Sequence, residues 1–227
     1  MCMHNFSQSV HVYDNFFTNP YKIANIGNSL EYFHDETWPG VRTQNLFQSN
    51  NNELIEFAKY FTIRIAHDVL YGLNKFEIDI RFHKNDIYNV DEANFGWIHN
   101  DSAEIAGLVY LNQEPPSMLT GTSIFDKNNK VNFATDDFES RKQLNVNQVV
   151  TDNYLRDLRN NRSLFDETVN MGNKFNRLIA YDAEQWHRPN SYKVDTAPRY
   201  SLLFFIKHAN FTELQPLLNI NSDWRDE

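Results

Sequence analysis

The chain has 227 residues and a formal charge of −9, which argues against a general nucleic-acid or anionic-membrane binder, since either needs a surplus of Lys and Arg. Its 18 Phe, 11 Tyr and 4 Trp supply bulk for a proper core in a single domain, residues 1–227, without staples. Cys2 is the only cysteine, which excludes an intramolecular disulfide and a cysteine-based zinc site.

Residues 1–14 lack the basic start and apolar run of a signal peptide, and no stretch reaches the roughly 18 apolar residues of a membrane span. The expectation is a soluble, cytoplasmic protein. Residues 10–17 read as a short strand leading to Asn19-Pro20, a side-chain cap with proline in the first turn. A helix is expected over about residues 21–33, with Gly27 unfavourable inside it. Trp38-Pro39-Gly40-Val41-Arg42 is turn chemistry. Asn52 and Glu53 open a clearer helix, in which Leu54, Ala58, Phe61, Ile65 and Val69 form one apolar stripe. Such stripes ordinarily pack a core, so residues 1–75 are read as an N-terminal strand and helices that buttress a sheet. Gly72 closes the second helix.

From Phe76 the period changes to two. Phe76, Ile78, Ile80 and Phe82 alternate with Glu77, Asp79, Arg81 and His83, the pattern of a half-buried strand. Its charged face is either solvated, the commoner case, or lines a polar pocket. Residues 94–98 lead as a strand into His99-Asn100-Asp101, where a period of two puts His99 and Asp101 on one face. Residues 105–111 are nearly all apolar and suit an inner strand; residues 121–125 form another after the break at Glu114-Pro115-Pro116.

Residues 126–174 are polar and rich in Asn and Asp, with one expected helix over about 152–165. So long a stretch without structure suits an insertion or lid. Arg156, Arg159 and Arg162 share a helical face that is either solvated or grips an acidic substrate. Strand patterning resumes over residues 175–181, then comes His187-Arg188-Pro189, and residues 199–206 close a core spanning 76–208. The tail, 209–227, is polar and ends acidic, with no role assigned.

Each chemical piece is weak alone. An H-x-D triplet arises by chance about half the time in such a chain, and a His before Pro is usually packed or capping. Their order carries more weight: an H-x-D heads an apolar strand, a later His follows a second strand, and Arg199-Tyr200-Ser201 begins a third. Two imidazoles and one carboxylate on one side of a metal make the facial triad of non-haem Fe(II) oxygenases. Zinc favours a closed tetrahedral set or a triad tuned to activate water.

His99-Asn100-Asp101, the strand Gly107 to Asn112 ending Tyr-Leu-Asn, Thr120-Gly121-Thr122-Ser123-Ile124-Phe125, Asn176-Arg177-Leu178-Ile179-Ala180-Tyr181 with His187-Arg188-Pro189, and Arg199-Tyr200-Ser201 together resemble the prolyl-4-hydroxylase-like branch of the Fe(II)/2-oxoglutarate-dependent dioxygenases. The opening, Asp14-Asn15-Phe16-Phe17 with Asn19-Pro20, is similar to a phage-associated subgroup, which implies a setting in a phage-infected host. The resemblance implies a double-stranded β-helix: a jelly roll of major and minor antiparallel sheets, mainly β with flanking helices. It implies that His99, Asp101 and His187 hold Fe(II), and that Arg199, Ser201 and Tyr110 bind 2-oxoglutarate. A fixed guanidinium suits a carboxylate better than Lys does.

The implied reaction uses O2 to hydroxylate a C–H bond, with 2-oxoglutarate decarboxylated to succinate. Asp101 favours hydroxylation over halogenation, because halogenases of the superfamily lack that carboxylate. The implied substrate is a peptide, an amino-acid side chain or a small metabolite, with Trp97, Asn100 and Arg81 as candidate contacts. The nucleobase-demethylase branch fits less well, because its second downstream Arg is not evident after Arg199. Thr120 replaces the first Gly of the family turn, and the gap from Asp101 to His187 is long, the excess falling in residues 126–174. The rival readings are a cupin-like jelly roll and a non-catalytic small-molecule or carbohydrate-binding module. Cupins usually place two His and a Glu in their first motif, which His99-Asn100-Asp101 lacks.

Overall fold

A computed structural model describes residues 10–113, 117–128, 138–195 and 197–212. The N-terminal part holds β1 (Val10–Tyr13), α1 (Pro20–Asn28), β2 (Phe33–His34), β3 (Val41–Arg42) and α2 (Asn52–Arg64). The middle holds β4 (Leu73–Lys84), β5 (Ile105–Tyr110), β6 (Ser117–Lys127), α3 (Phe138–Asn147) and α4 (Asp152–Ser163). Then follow β7 (Phe165–Asn173), β8 (Leu178–Asp182), β9 (Trp186–Pro189), β10 (Lys193–Val194), β11 (Ala197–Pro198) and β12 (Tyr200–Phe211). The major sheet runs β1-β8-β5-β12-β4-β3-β2, and the minor sheet β7-β6-β9; β10 and β11 form a separate pair. The pairings are antiparallel. This is the expected double-stranded β-helix.

Strand alternation gives the major sheet two faces. Ile80, Phe82, Leu202, Phe204 and Val109 point one way, into a core shared with Phe61, Ile65 and Val69. Those three belong to the stripe expected from sequence, and the whole stripe is buried. Asn51 caps α2, its side chain accepting the Glu53 N–H at 2.8 Å. The helix runs on into a π-helical turn, Ile65–Val69, and Gly72 with φ +84° ends it. Residues on the opposite face, among them Leu108, Ile179 and Leu203, pack with Ile124 and Met171 of the minor sheet. The space between the sheets holds the cavity described below.

Several expectations change. The first helix stops at Asn28, and its Gly27 is a contact point: a Cβ there would overlap the Tyr200 hydroxyl and the Phe82 ring. Val41 and Arg42 leave the turn to pair with β4, Arg42 opposite His83, after Gly40 with φ +86° makes the bend. Residues 94–98 are no strand; Asp91–Asn94 is a 3₁₀ turn, and an extended segment follows. The charged face of β4 is not simply solvated, because Glu77, Asp79 and His83 line the cavity.

Residues 126–174 are far from structureless, since they hold α3, α4 and β7, and β7 completes the minor sheet. Arg159 makes two hydrogen bonds to Glu92, at 2.8 and 2.5 Å, and Arg162 reaches the Glu92 carbonyl at 3.2 Å. Arg156 turns to Asn153 and Asp157. These arginines therefore join α4 to the 91–95 turn or serve α4 itself. The final strand runs past the expected core limit, to Phe211. The break at 114–116 and the acidic end of the tail lie outside the described residues. No helix among the described residues is long and apolar enough to cross a membrane.

Candidate metal centre and its cavity

A single backbone bridge builds the centre. The His99 N–H donates to the His187 carbonyl at 3.0 Å, and the His187 N–H returns to the His99 carbonyl at 2.8 Å. Two residues on, the Asp101 N–H donates to the Ala183 carbonyl at 2.9 Å. His187 stands on β9, opposite Ile124 of β6, so the minor sheet fixes its backbone. The extended segment thus presents His99 and Asp101 beside His187.

The side chains converge. Ligand-capable atoms of His99, Asp101 and His187 all lie within 4.8 Å of one another. His187 Nε2 is 3.2 Å from Asp101 Oδ2, and His99 Nε2 is 3.8 Å from Asp101 Oδ1. Each histidine Nδ1 sits 2.8 Å from a carbonyl two residues earlier in the chain, Trp97 for His99 and Gln185 for His187. A carbonyl only accepts, so each Nδ1 carries a proton and each Nε2 faces the cluster. Burial, helped by nearby His187 and Arg141, pushes the His99 pKa down to about 3, so its ring is neutral at pH 7. Burial opposes the Asp101 charge, but the His187 contact, the imidazoles and Arg42 outweigh it and hold the carboxyl below its usual range. Two imidazole nitrogens and a carboxylate in this arrangement could hold a metal ion.

The cluster opens into a cavity of about 670 Å³. Arg199, 3% exposed, lines it just before β12. Its Nη2 donates to Thr122 Oγ1 at 2.9 Å, its guanidinium lies 5.3 Å from the Tyr110 ring centre, and its Nε has no hydrogen-bond partner. The Tyr110 hydroxyl donates to the same Thr122 oxygen at 3.0 Å. Ser201, opposite Tyr110 on the neighbouring strand, is wholly buried with its Oγ unpartnered. Thr122 lines the cavity, whereas Tyr110 and Ser201 are not among its lining residues. Thr122 carries no role in the sequence reading, although it stands inside the 120–125 stretch. The signal that could have found it is the inward period of two shared with Ile124.

The three candidate substrate contacts separate. Asn100 lines the cavity and is exposed. Trp97 is buried instead among Tyr88, Leu144, Tyr154, Leu158 and Tyr192. Arg81, on the cavity face by register, turns to Asp79 at 2.8 Å and is not among the lining residues.

The two sheets with this space between them have the double-stranded β-helix fold of 2-oxoglutarate oxygenases. One such likeness is to HygX from Streptomyces hygroscopicus with nickel and 2-oxoglutarate bound, at a TM-score of 0.51 and 11% identity, covering 88% of this chain and 83% of that one. HygX with nickel, 2-oxoglutarate and hygromycin B bound gives the same values. A Pseudomonas putida prolyl-4-hydroxylase is similar at a TM-score of 0.47 and 12% identity, over 88% of this chain and 93% of that one. At 11% identity the likeness to HygX is one of fold alone. Within the chain, residues 89–197, which include His99, Asp101 and His187, match the model of a family described as "Family of unknown function (DUF6445)". No curated protein sequence matches the chain.

Proposed function

We propose that the chain is an Fe(II)/2-oxoglutarate-dependent oxygenase of the prolyl-4-hydroxylase-like kind. It would hydroxylate an unactivated C–H bond of a peptide, an amino-acid side chain or a small metabolite. The observation that carries this reading is the convergence of His99 Nε2, His187 Nε2 and the Asp101 carboxylate at the foot of a cavity that also holds buried Arg199. The donor set fits a ferrous ion: both histidines are held by their Nδ1 carbonyl bonds with Nε2 presented, and only one ligand is anionic.

The surroundings of Arg199 fit the co-substrate. Its Nε and the Ser201 Oγ are buried polar atoms without partners, and such atoms are rare unless a ligand or water meets them. The fork of Arg199 would take the far carboxylate of 2-oxoglutarate, with Tyr110, Thr122 and Ser201 supplying hydroxyls around it. Bound together, Fe(II), 2-oxoglutarate and O2 supply the oxidising power for C–H hydroxylation, yielding succinate and carbon dioxide. The chain's own share is to orient the two molecules and to keep the cavity floor dry, where Leu108 and Leu203 face it. Asn100, at the exposed rim, is the one of the three candidate substrate contacts that lines the cavity.

Anaerobic addition of Fe(II) and then 2-oxoglutarate tests the reading. A weak absorption band near about 500 nm is expected, lost in His99→Ala and in Arg199→Gln, with succinate released on admitting air and stimulated by the true substrate. Absence of the band together with saccharide binding would point to the carbohydrate-binding module instead.

A further inference from the structure

We propose that the oxygenase substrate carries an oxyanion, a carboxylate or a phosphate, held in a second donor pocket formed by Arg42 and Trp38 on the β3–β4 wall of the cavity. The inference rests on the functional reading above and names the substrate class of that site. Buried polar groups in folded chains almost always find partners. On this wall several do not. Arg42 Nε, Trp38 Nε1 and Asn85 Nδ2 are buried donors without a hydrogen-bond partner, and all three residues line the cavity. Asn85 is only 3% exposed.

Arg42 is already held in place for a ligand. Its guanidinium stacks 4.4 Å from the Trp38 ring centre and lies 5.6 Å from that of Phe205, while its backbone is fixed opposite His83. Stacking leaves the edge of the fork free for bidentate bonds to an oxyanion. No carboxylate among the described residues takes that edge. Asp79 is engaged by Arg81 through both oxygens, at 2.8 and 3.0 Å, and Asp101 is turned toward His187. Arg141, from α3, lines the same cavity and makes no ion pair among the described residues. The interior is therefore rich in guanidinium even though the whole chain is acidic, with Arg199 at the Tyr110 end, 5.3 Å from that ring, and Arg42 at the other end of the register row, three strands across. One end suits 2-oxoglutarate. The other, with the Trp38 indole N–H and the Asn85 amide as additional donors, suits the anionic group of the molecule to be oxidised.

The indole N–H of Trp38 gives a direct readout, independent of turnover, as one of only four indole signals in the chain. In ¹H–¹⁵N NMR spectra it is assigned with Trp38→Phe. Protein is titrated with N-acetylglycine and with glycerol 3-phosphate, using N-acetylglycinamide and glycerol as neutral controls. The titrations are run both metal-free and loaded with Zn(II) and N-oxalylglycine, in which an amide N–H replaces a methylene of 2-oxoglutarate.

A saturable shift of the Trp38 signal with at least one anion and neither control is expected. Arg42→Gln should weaken it at least tenfold, Arg42→Lys less, and Arg141→Gln about threefold, with the thermal midpoint of each variant confirming that it folds. A response to the carboxylate alone or to the phosphate alone identifies the oxyanion. No saturable shift with either anion, an equal response to the neutral controls, or an unchanged affinity in Arg42→Gln each overturns the proposal. If Zn(II) and N-oxalylglycine leave the His99 and His187 ring signals unmoved, the oxygenase reading fails, while the metal-free titration still decides the Arg42 pocket.

Discussion

Thr122 Oγ1 accepts two hydrogen bonds, from the Tyr110 hydroxyl and from Arg199 Nη2, and so fixes the angle at which the guanidinium meets the cavity. Thr122→Val keeps the shape and removes the acceptor. Affinity for 2-oxoglutarate is expected to fall about tenfold, some 1.4 kcal/mol, with metal affinity unchanged; titration calorimetry in the presence of Mn(II) reads both. Neither bond could be read in the chain, because a strand threonine looks the same whether or not an arginine far along the sequence reaches it. His99, Asp101 and Arg199 stood out only jointly, through their order along the chain and the family motifs they resemble. His83 carries a pH dependence. Burial, reinforced by Arg42, holds its folded pKa well below the ordinary value of 6.5, and its Nε2 donates to the Pro39 carbonyl at 2.8 Å. As pH falls through about 6.5 the unfolded chain takes up a proton that the folded chain refuses. The stabilising contribution is therefore complete above that pH and declines below it. Urea midpoints measured from about pH 7.5 down to about pH 5 should fall, and His83→Gln should flatten that fall by up to one proton's worth, about 1.4 kcal/mol per pH unit.

Helix α1 illustrates how packing overrides propensity. Gly27 lowers its helical tendency, and replacing it with Ala would raise that tendency by up to about 1 kcal/mol. The added methyl would nonetheless meet Phe82 and the Tyr200 hydroxyl, which itself donates to the Ala24 carbonyl at 2.9 Å. Overpacking of this kind costs about 1–3 kcal/mol, so Gly27→Ala is expected to lower stability in urea denaturation. A gain would show that the helix slides freely on the sheet. The apolar stripe of α2 and the alternation in β4 were readable because each packs one side against a deep core. β7 and α3 were not, for the same reason reversed. Along β7 only Phe165 and the Met171–Asn173 end are buried, and α3 has almost no apolar side. Their pattern is set by the partner strand and by α4, information that local spacing does not contain.

Across the molecule, the centre joins parts far apart in sequence: an extended segment after the 91–94 turn, the minor-sheet strand β9, and the entry to β12. A ligand that binds only this folded arrangement stabilises it by mass action. At a hundredfold excess over its dissociation constant the gain is about 2.7 kcal/mol, which for a chain of this size corresponds to about 5–10 °C in the thermal midpoint. Mn(II) with N-oxalylglycine should produce such a rise in scanning calorimetry and fail to do so in His187→Ala. The two-sheet architecture could be anticipated from the family resemblance that the motifs carry, whereas the depth and chemistry of the space between the sheets depend on pairings that sequence order alone does not fix. One of those pairings has a metric consequence. Tyr110, Ser201, His83 and Arg42 stand directly opposite one another on β5, β12, β4 and β3. Adjacent strands are spaced about 4.8 Å apart, so the row works as a ruler with three divisions, about 14 Å from first mark to last. An anion held by Arg42 and a 2-oxoglutarate held by Arg199 beside Tyr110 would have to share that span, which favours compact acids over long flexible chains.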